Sequence, residues 1–192
     1  RGGDERGLAT PPLWKLAGLP EPRPLVTAYT ISLNEPEIMK SDARIAAAKG
    51  YPLLKLKLNG HDDLLRVQAV RIGAPQARLI IDANEAWAQI DLAAMTDALK
   101  TLGVELIEQP VEAGFEDRLD GARSSLPLCA DESCHVAEDI ERVAANFQAV
   151  NIKLDKAGGL TEALRLSQAA KAHGMKTMVG CMTESSVGIT AI

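Results

Sequence analysis

Charged side chains stand at the ends of five short aliphatic segments of the sequence. Three of these segments end in an acid, at Asp82, Glu108 and Asp131, and two end in or carry a lysine, at Lys57 and Lys153. In parallel barrels the working residues lie at the carboxyl ends of the strands, and neighbouring strands are only about 4.8 Å apart. We therefore expect these five side chains to meet at one end of a parallel sheet.

The three acids would repel one another at this spacing, so they need a compensating cation. A set of carboxylates with no His or Cys beside it suits Mg²⁺, a hard ion that prefers oxygen ligands. Each acid could instead cap the helix that follows its strand. Three acids on consecutive strands favour the metal site, so the sequence predicts Mg²⁺ bound by Asp82, Glu108 and Asp131.

Lysines flank the acids in the sequence. Lys55 and Lys57 are two residues apart on a strand, so both project to one side while the leucines between and beside them project to the other. Leucines that pack under helices would place both ammonium groups inside the barrel, and a solvated sheet edge is the alternative. Lys153 comes four strands later and would face Lys57 across the barrel. Two bases on opposite faces of a carbon can remove and return its proton, provided that nearby cations lower a lysine pKa.

Aliphatic segments alternate with longer amphipathic stretches from Leu25 onward, which is typical of strand-helix units around a parallel sheet. The pattern predicts seven strands, near Leu25 to Leu33, Leu53 to Leu58, Arg78 to Ala83, Leu106 to Glu108, Leu128 to Asp131, Ala149 to Leu154 and Lys176 to Cys181. It predicts helices over Pro36 to Lys49, Asp62 to Ile72, Leu92 to Leu102, Val136 to Asn146 and Thr161 to Ala172. A repeat of roughly 25 residues favours an α/β fold of the TIM (β/α) barrel type, and we expect its eighth strand to be absent.

Five motifs in a fixed order carry a resemblance to a known family. Lys-x-Lys, Asp-x-Asn, Glu-Gln-Pro, Asp-Glu-Ser and Lys-x-Asp-Lys together resemble the enolase superfamily, and more narrowly its muconate lactonizing enzyme subgroup. The resemblance implies a modified TIM barrel of the enolase C-terminal domain type. It assigns the three acids to the metal, Lys57 and Lys153 to acid/base work, and Lys55, Asn84, Glu132 and Asp155 to electrostatic or supporting roles.

The resemblance also divides the chain into two parts. It implies that residues 1–23 are a linker and the tail of an N-terminal cap domain, and that residues 24–192 are a partial barrel. Most of the cap domain and the last barrel strand are then expected to be missing.

The subgroup includes dipeptide epimerases, muconate cycloisomerases, o-succinylbenzoate synthases and N-acylamino acid racemases. The segments over residues 27–30 and 180–184 resemble dipeptide epimerases, which implies substrate contacts for Thr30, Cys181, Met182 and Glu184. Packing explains Cys181 and Met182 equally well. The resemblance thus implies Mg-dependent epimerisation of an L-Ala-D/L-Glu type dipeptide through an enediolate. The alternatives are the other reactions of the subgroup or a non-catalytic truncated barrel.

Composition limits the partners. The net charge of −5 and the absence of a basic run argue against nucleic acid and acidic membranes as partners. Three cysteines without metal-site spacing, and the lack of any long apolar stretch, favour a cytoplasmic protein. We therefore expect a small-molecule carboxylate or dipeptide as the partner, while a homo-oligomer stays open.

Overall fold

The computed structural model of the chain describes residues 11–182. Seven parallel strands form one sheet in chain order: β1 Tyr29–Ile31, β2 Leu53–Lys57, β3 Arg78–Asp82, β4 Val104–Glu108, β5 Leu128–Ala130, β6 Ala149–Lys153 and β7 Lys176–Gly180. The helices are α1 Leu13–Leu16, α2 Pro36–Ala48, α3 Asp63–Gly73, α4 Leu92–Thr101, α5 Ile140–Val143, α6 Leu154–Ala157 and α7 Leu160–Ala172. Two 3-10 turns cover Glu116–Leu119 and Ala137–Asp139. This is an incomplete (β/α) barrel, and the predicted seven-stranded fold is confirmed.

The alternation within β2 sets which side of the sheet is apolar. Leu54 and Leu56 are fully buried in the core, whereas Lys55 and Lys57 on the opposite side stay partly accessible. Strands β5 and β6 are buried along their whole length, as expected for parallel strands covered on both faces. In β2 the leucines thus face the apolar core, and the lysines face the side of the sheet that carries the acids.

The strand register places Lys57, Asp82 and Glu108 level with one another, and places Asp131 and Lys153 further along the chain from that level. Lys57 pairs with Asp82 across β2 and β3, and Asp82 pairs with Glu108 across β3 and β4. Glu108 lies beside Cys129 of β5, so Asp131 follows two residues further along that strand. On the far side Lys153 pairs with Gly180 across β6 and β7. The ends of β2 to β6 thus open onto one region.

Two predicted elements are wrong in their extent. The first strand is limited to Tyr29–Ile31, and because its partner β2 begins only at Leu53, residues 25–27 have no ladder to join. The helix predicted from Val136 to Asn146 is broken into a 3-10 turn and the short α5. There the Asp139 carboxylate accepts the backbone N–H groups of His135 and Val136, which fixes a tight turn at the start.

Gly73 is glycine because helix α2 passes close to it. It is the last residue of α3, and a Cβ built on it would lie 2.3 Å from the Lys40 carbonyl oxygen of α2. The close approach of α2 and α3 therefore requires glycine here.

In the part of the chain that the structure describes, no helix combines the length and the apolar character that crossing a membrane would need.

Candidate active site

Three buried carboxylates form the centre of the site. Asp82, Glu108 and Asp131 come from the ends of three consecutive strands, and each offers an oxygen that lies within 4.8 Å of the others. Their exposed fractions are 0%, 0% and 1%. Because buried like charges at this distance repel strongly, the cluster demands cations.

Two lysines of β2 pair with the first two acids. Lys55 Nζ lies 2.9 Å from Asp82 Oδ2 and 2.6 Å from Glu108 Oε2, so it bridges them. Lys57 Nζ donates a hydrogen bond of 2.6 Å to the same Asp82 Oδ2. Burial would lower the pKa of Lys55, but its ion pairs with Glu108 and Asp82 outweigh burial and raise it. Lys55 is therefore held as a fixed positive charge.

Two further lysines hold Asp131 from the other side. Lys153 Nζ donates to Asp131 Oδ2 at 2.5 Å, and Lys156 Nζ donates to Asp131 Oδ1 at 2.5 Å and also to the Asp131 carbonyl oxygen. Burial lowers the pKa of Lys153, yet the hydrogen bond and charge of Asp131 outweigh burial and raise it. The lowered pKa that we expected for this lysine is thus not found beside an ionised Asp131.

The acids themselves are strongly perturbed. Burial, reinforced by the charge of Asp82, raises the pKa of Glu108 to about 7, although Lys55 opposes the shift. Burial would also raise the pKa of Asp131, but hydrogen bonds with Glu108 and Lys153 outweigh it and lower the pKa to about 2. The crowding thus favours the protonated form of Glu108 and the ionised form of Asp131.

The donor set fits a hard divalent cation. All three groups are carboxylates, their oxygens converge, and Glu108 Oε2 is buried and accepts no hydrogen bond from residues 11–182, although Lys55 lies within ion-pair distance of it. An oxygen-only set of this kind suits Mg²⁺ better than a soft metal. The Asp-Glu-Asp group is thus positioned to bind a metal ion.

Comparison with known proteins places this arrangement in a family. The family profile described as enolase C-terminal domain-like matches residues 38–192. The chain belongs to this family. The predicted resemblance to enolase-type barrels is therefore confirmed.

Relatives with assigned activities are similar to this member of the family. An L-Ala-D/L-Glu epimerase of Escherichia coli strain K12 is 42% identical over 92% of the chain and 55% of its own length. An N-acetyl-D-glutamate racemase of a Pseudoalteromonas species is 43% identical over 85% of the chain and 51% of its own length. A solved dipeptide epimerase of Cytophaga hutchinsonii, complexed with Mg and D-Ala-L-Val, has a TM-score of 0.88 at 30% identity, covering 94% of the chain and 51% of that protein. The chain spans about half the length of these relatives.

The supporting residues implied by the family motifs have different surroundings. The backbone N–H of Asn84 donates to Asp82 Oδ1 at 3.1 Å, and Asn84 has a φ of 46°. Glu132 follows Asp131, and burial together with the Asp131 charge raises its pKa. Asp155 is exposed, and its side chain makes no hydrogen bond or ion pair within residues 11–182. The structure thus brings Asn84 and Glu132 to the acid cluster but not Asp155 through any direct contact.

Three of the four residues implied to bind substrate, Thr30, Cys181 and Met182, lie in the described part of this enolase-type barrel. Thr30 pairs with Lys55 across β1 and β2 and is exposed. Cys181 is exposed, and the Met182 sulfur lies 3.9 Å from Lys153 Nζ. Glu184 is outside the described residues. Met182 thus contacts a lysine of the site directly. Thr30 is linked to the site only because its strand pairs with β2, which carries Lys55.

Gln109, to which the motifs assign no role, makes four side-chain hydrogen bonds in a buried network beneath Asp131. Its Oε1 accepts the backbone N–H groups of Asp131 at 2.8 Å and of Ser133 at 3.2 Å. Its Nε2 donates to the Val111 carbonyl at 2.8 Å and to Ser133 Oγ at 2.6 Å. The amide therefore uses both of its ends to fix the loop that carries a carboxylate of the site. The signal in the sequence was the place of this glutamine in the Glu-Gln-Pro motif, directly after a strand-end acid.

The network continues outward to Glu116. Burial would raise the pKa of Glu116, but hydrogen bonds from Ser133, the Gly114 amide and Arg142 outweigh burial and lower it to about 2. The Arg142 guanidinium lies 2.7 Å from Glu116 Oε1 and also donates to the Ser133 carbonyl. The loop after β5 is thus anchored to the loop after β4 by neutral and charged hydrogen bonds.

A second buried network links the loops after β2 and β3. The Asp63 carboxylate accepts the Trp87 indole N–H and the Gly60 N–H, both at 2.8 Å. Gly60 has a φ of 85°, and a Cβ built on it would lie 2.7 Å from the Ala86 carbonyl oxygen. These contacts hold the backbone that follows Lys57 against the backbone that follows Asp82.

Proposed function

We propose that the full-length protein containing this chain epimerises a dipeptide of the L-Ala-D/L-Glu type by removing and returning the proton next to a carboxylate. One observation carries the proposal. The ends of the consecutive strands β2 to β6 carry, in order, Lys57, Asp82, Glu108, Asp131 and Lys153. Each of these two lysines forms an ion pair with the acid of the neighbouring strand. A cation-binding centre flanked by a basic group on either side is what inversion of such a carbon requires. The relatives named as epimerases support the choice of reaction.

The proposed cofactor is Mg²⁺, held by Asp82, Glu108 and Asp131. When bound, it would supply positive charge to the carboxylate oxygens that gain electron density as the α-proton leaves. Lys55 would add to this charge, because its ion pairs with two of the acids keep it protonated. The Mg bound in the Cytophaga hutchinsonii structure supports this cofactor.

Lys57 and Lys153 are the proposed proton carriers. Their ammonium groups reach the centre from β2 and β6, on the two flanks of the acid cluster. In the proposed reaction one lysine takes the α-proton as a free amine, a form that its ion pair with an acid disfavours and that cation binding to the acids would favour, while the other, as an ammonium, returns a proton to the opposite face. The roles exchange when the opposite epimer is the substrate.

Substrate contacts are proposed for Thr30, Cys181, Met182 and Glu184, with Asn84, Glu132 and Asp155 in support. The contact of Met182 with Lys153 supports a place for it beside the reacting carbon. We also propose a cytoplasmic setting, which the unpaired state of all three cysteines supports, since a reducing compartment keeps thiols free.

Proton exchange in D₂O tests the proposal directly. Incubating the full-length protein with Mg²⁺ and L-Ala-L-Glu in D₂O should replace the α-proton of the glutamate residue with deuterium, while the alanine α-proton stays. The exchange is followed by NMR, and a boiled sample and an EDTA-treated sample serve as controls. Retention of the glutamate proton, with intact folding and bound Mg²⁺, would refute the dipeptide assignment.

A second candidate is racemisation of an N-acylated amino acid. The 43% identical N-acetyl-D-glutamate racemase supports it, since its substrate presents the same glutamate carboxylate next to an acylated nitrogen. Parallel incubations with N-acetyl-D-glutamate would separate the two. Faster exchange with the N-acetyl compound than with the dipeptide would favour the racemase.

A further inference from the structure

Asn151 of β6 reaches Glu108 from two strands away. Its Nδ2 donates a hydrogen bond of 2.8 Å to Glu108 Oε1, although β5 lies between their strands. The Asn151 side chain is buried, with 1% of the residue exposed. The motifs of the sequence predict no role for this residue, and the proposed reaction does not use it.

The contact leaves the two oxygens of Glu108 with different partners. Oε1 is held by the neutral amide of Asn151, whereas Oε2 lies 2.6 Å from Lys55 and accepts no hydrogen bond from the described residues. A neutral donor orients a carboxylate without neutralising it, so the other oxygen keeps its charge for a cation. An acid in place of Asn151 would add a fourth negative charge to the cluster.

Gly180 on the neighbouring strand makes room for this amide. A Cβ built on Gly180 would lie 2.6 Å from Asn151 Oδ1 and 2.9 Å from Asn151 Nδ2. Gly180 is not among the residues with a positive φ, so backbone conformation does not demand glycine here. Glycine is required here because the Asn151 amide occupies the space that a Cβ would take.

We infer that Asn151 is a positioning residue that orients Glu108 for the cation, and that Gly180 is glycine because any side chain there would displace the Asn151 amide. Asn151 Oδ1 is buried and has no hydrogen-bond partner within residues 11–182. Leaving a buried carbonyl oxygen unsatisfied costs about 1–3 kcal/mol. The Asn151 amide is therefore oriented for its hydrogen bond to Glu108, even though its own carbonyl oxygen then accepts no hydrogen bond from the described residues. The inference rests on the metal site of the proposed function.

Cation affinity tests the inference without relying on catalysis. We would titrate the full-length protein with Mg²⁺ by calorimetry and with Mn²⁺ by electron paramagnetic resonance, for wild type, Asn151→Ala, Gly180→Ala and the double variant. Outer contacts to metal ligands typically change affinity by about 10–100-fold. Each single variant should therefore bind Mg²⁺ and Mn²⁺ at least about tenfold more weakly than wild type does. The double variant should match Asn151→Ala, because an alanine at position 180 does no harm once the amide is gone.

Gln148→Ala is the matched control. Gln148 immediately precedes the same strand at the opposite end, where its Oε1 accepts the Leu128 N–H of β5 at 3.0 Å. This variant also loses an amide that ties β6 to a neighbouring part of the sheet, so it should keep wild-type cation affinity. Thermal unfolding of all variants separates loss of binding from loss of fold.

Three outcomes would overturn the inference. One is wild-type affinity in folded Asn151→Ala, and another is a Gly180→Ala effect that persists in full in the double variant. The third is a wild type that binds neither cation, which would also overturn the metal site. If binding follows the expected order but no proton exchange occurs with any substrate, the proposed reaction is wrong and the inference on Asn151 is supported.

Discussion

Replacing Gln109 with leucine should destabilise the protein more than any surface amide replacement. Leucine has a similar volume, so the change removes hydrogen bonds with little change in packing. The backbone N–H groups of Asp131 and Ser133 and the carbonyl of Val111 would lose a buried partner. Each unsatisfied buried group costs about 1–3 kcal/mol, and partial relaxation leaves an expected loss of about 3 kcal/mol. At about 2–4 °C per kcal/mol for a domain of this size, Tm should fall by roughly 6–12 °C.

The assay is thermal unfolding of the full-length protein, followed by circular dichroism, with Gln68→Leu as the control. Gln68 lies exposed on α3, so the same chemical change there should alter stability by less than about 0.5 kcal/mol. The loop carrying Asp131 also loses its anchor, so Gln109→Leu should bind Mn²⁺ more weakly than the control. Equal Tm values for the two variants would refute the role given to Gln109.

Three further perturbations have defined outcomes. Glu116→Gln should lower stability at pH 7 by about 1.5–3 kcal/mol, the range for hydrogen bonds to charged groups. Because folding lowers the pKa of Glu116 from 4.5 to about 2, its contribution is complete above pH 4.5 and is lost as pH falls to 2. Denaturant unfolding should show the gap to wild type closing over that window, and a gap independent of pH would contradict the pKa. Gly60→Ala should cost about 1–3 kcal/mol, since the left-handed φ and the Ala86 carbonyl both oppose a Cβ, and a neutral effect would be unexpected. Lys55→Met should cost about 3–5 kcal/mol by leaving buried Glu108 without an ion pair and Asp82 with Lys57 alone, and a loss under about 1 kcal/mol at pH 7 would count against its bridging role.

The meeting of charged side chains was predictable because parallel strands place their carboxyl ends at one edge. Lys57, Asp82 and Glu108 each stand at the end of a strand, which alone predicts that they lie side by side. In the structure Lys57 pairs with Asp82, and Asp82 pairs with Glu108. The period-2 alternation of β2 likewise predicts which side Lys55 and Lys57 face. Such features follow from local geometry, which a single sequence contains.

Contacts between distant strands were not predictable in the same way. Asn151, an ordinary polar residue in the sequence, reaches Glu108 over β5, and Lys156, whose motif assigned it no role, turns back from α6 to Asp131. Which oxygen each one contacts depends on the curvature of the sheet and on side-chain torsions, which no spacing rule encodes. Asp155 shows the reverse case, because a motif position beside two lysines of the site is exposed and makes no side-chain contact in the described chain.

The central claim is that Lys57 and Lys153 serve opposite faces of one carbon. The most direct measurement is deuterium exchange by Lys57→Ala and Lys153→Ala, each incubated separately with L-Ala-L-Glu and with L-Ala-D-Glu in the presence of Mg²⁺. Each folded variant should retain exchange at the glutamate α-carbon for only one of the two epimers, and the retained epimer should differ between the variants. If both variants keep the same epimer, or exchange both at equal rates, the two lysines do not act from opposite faces.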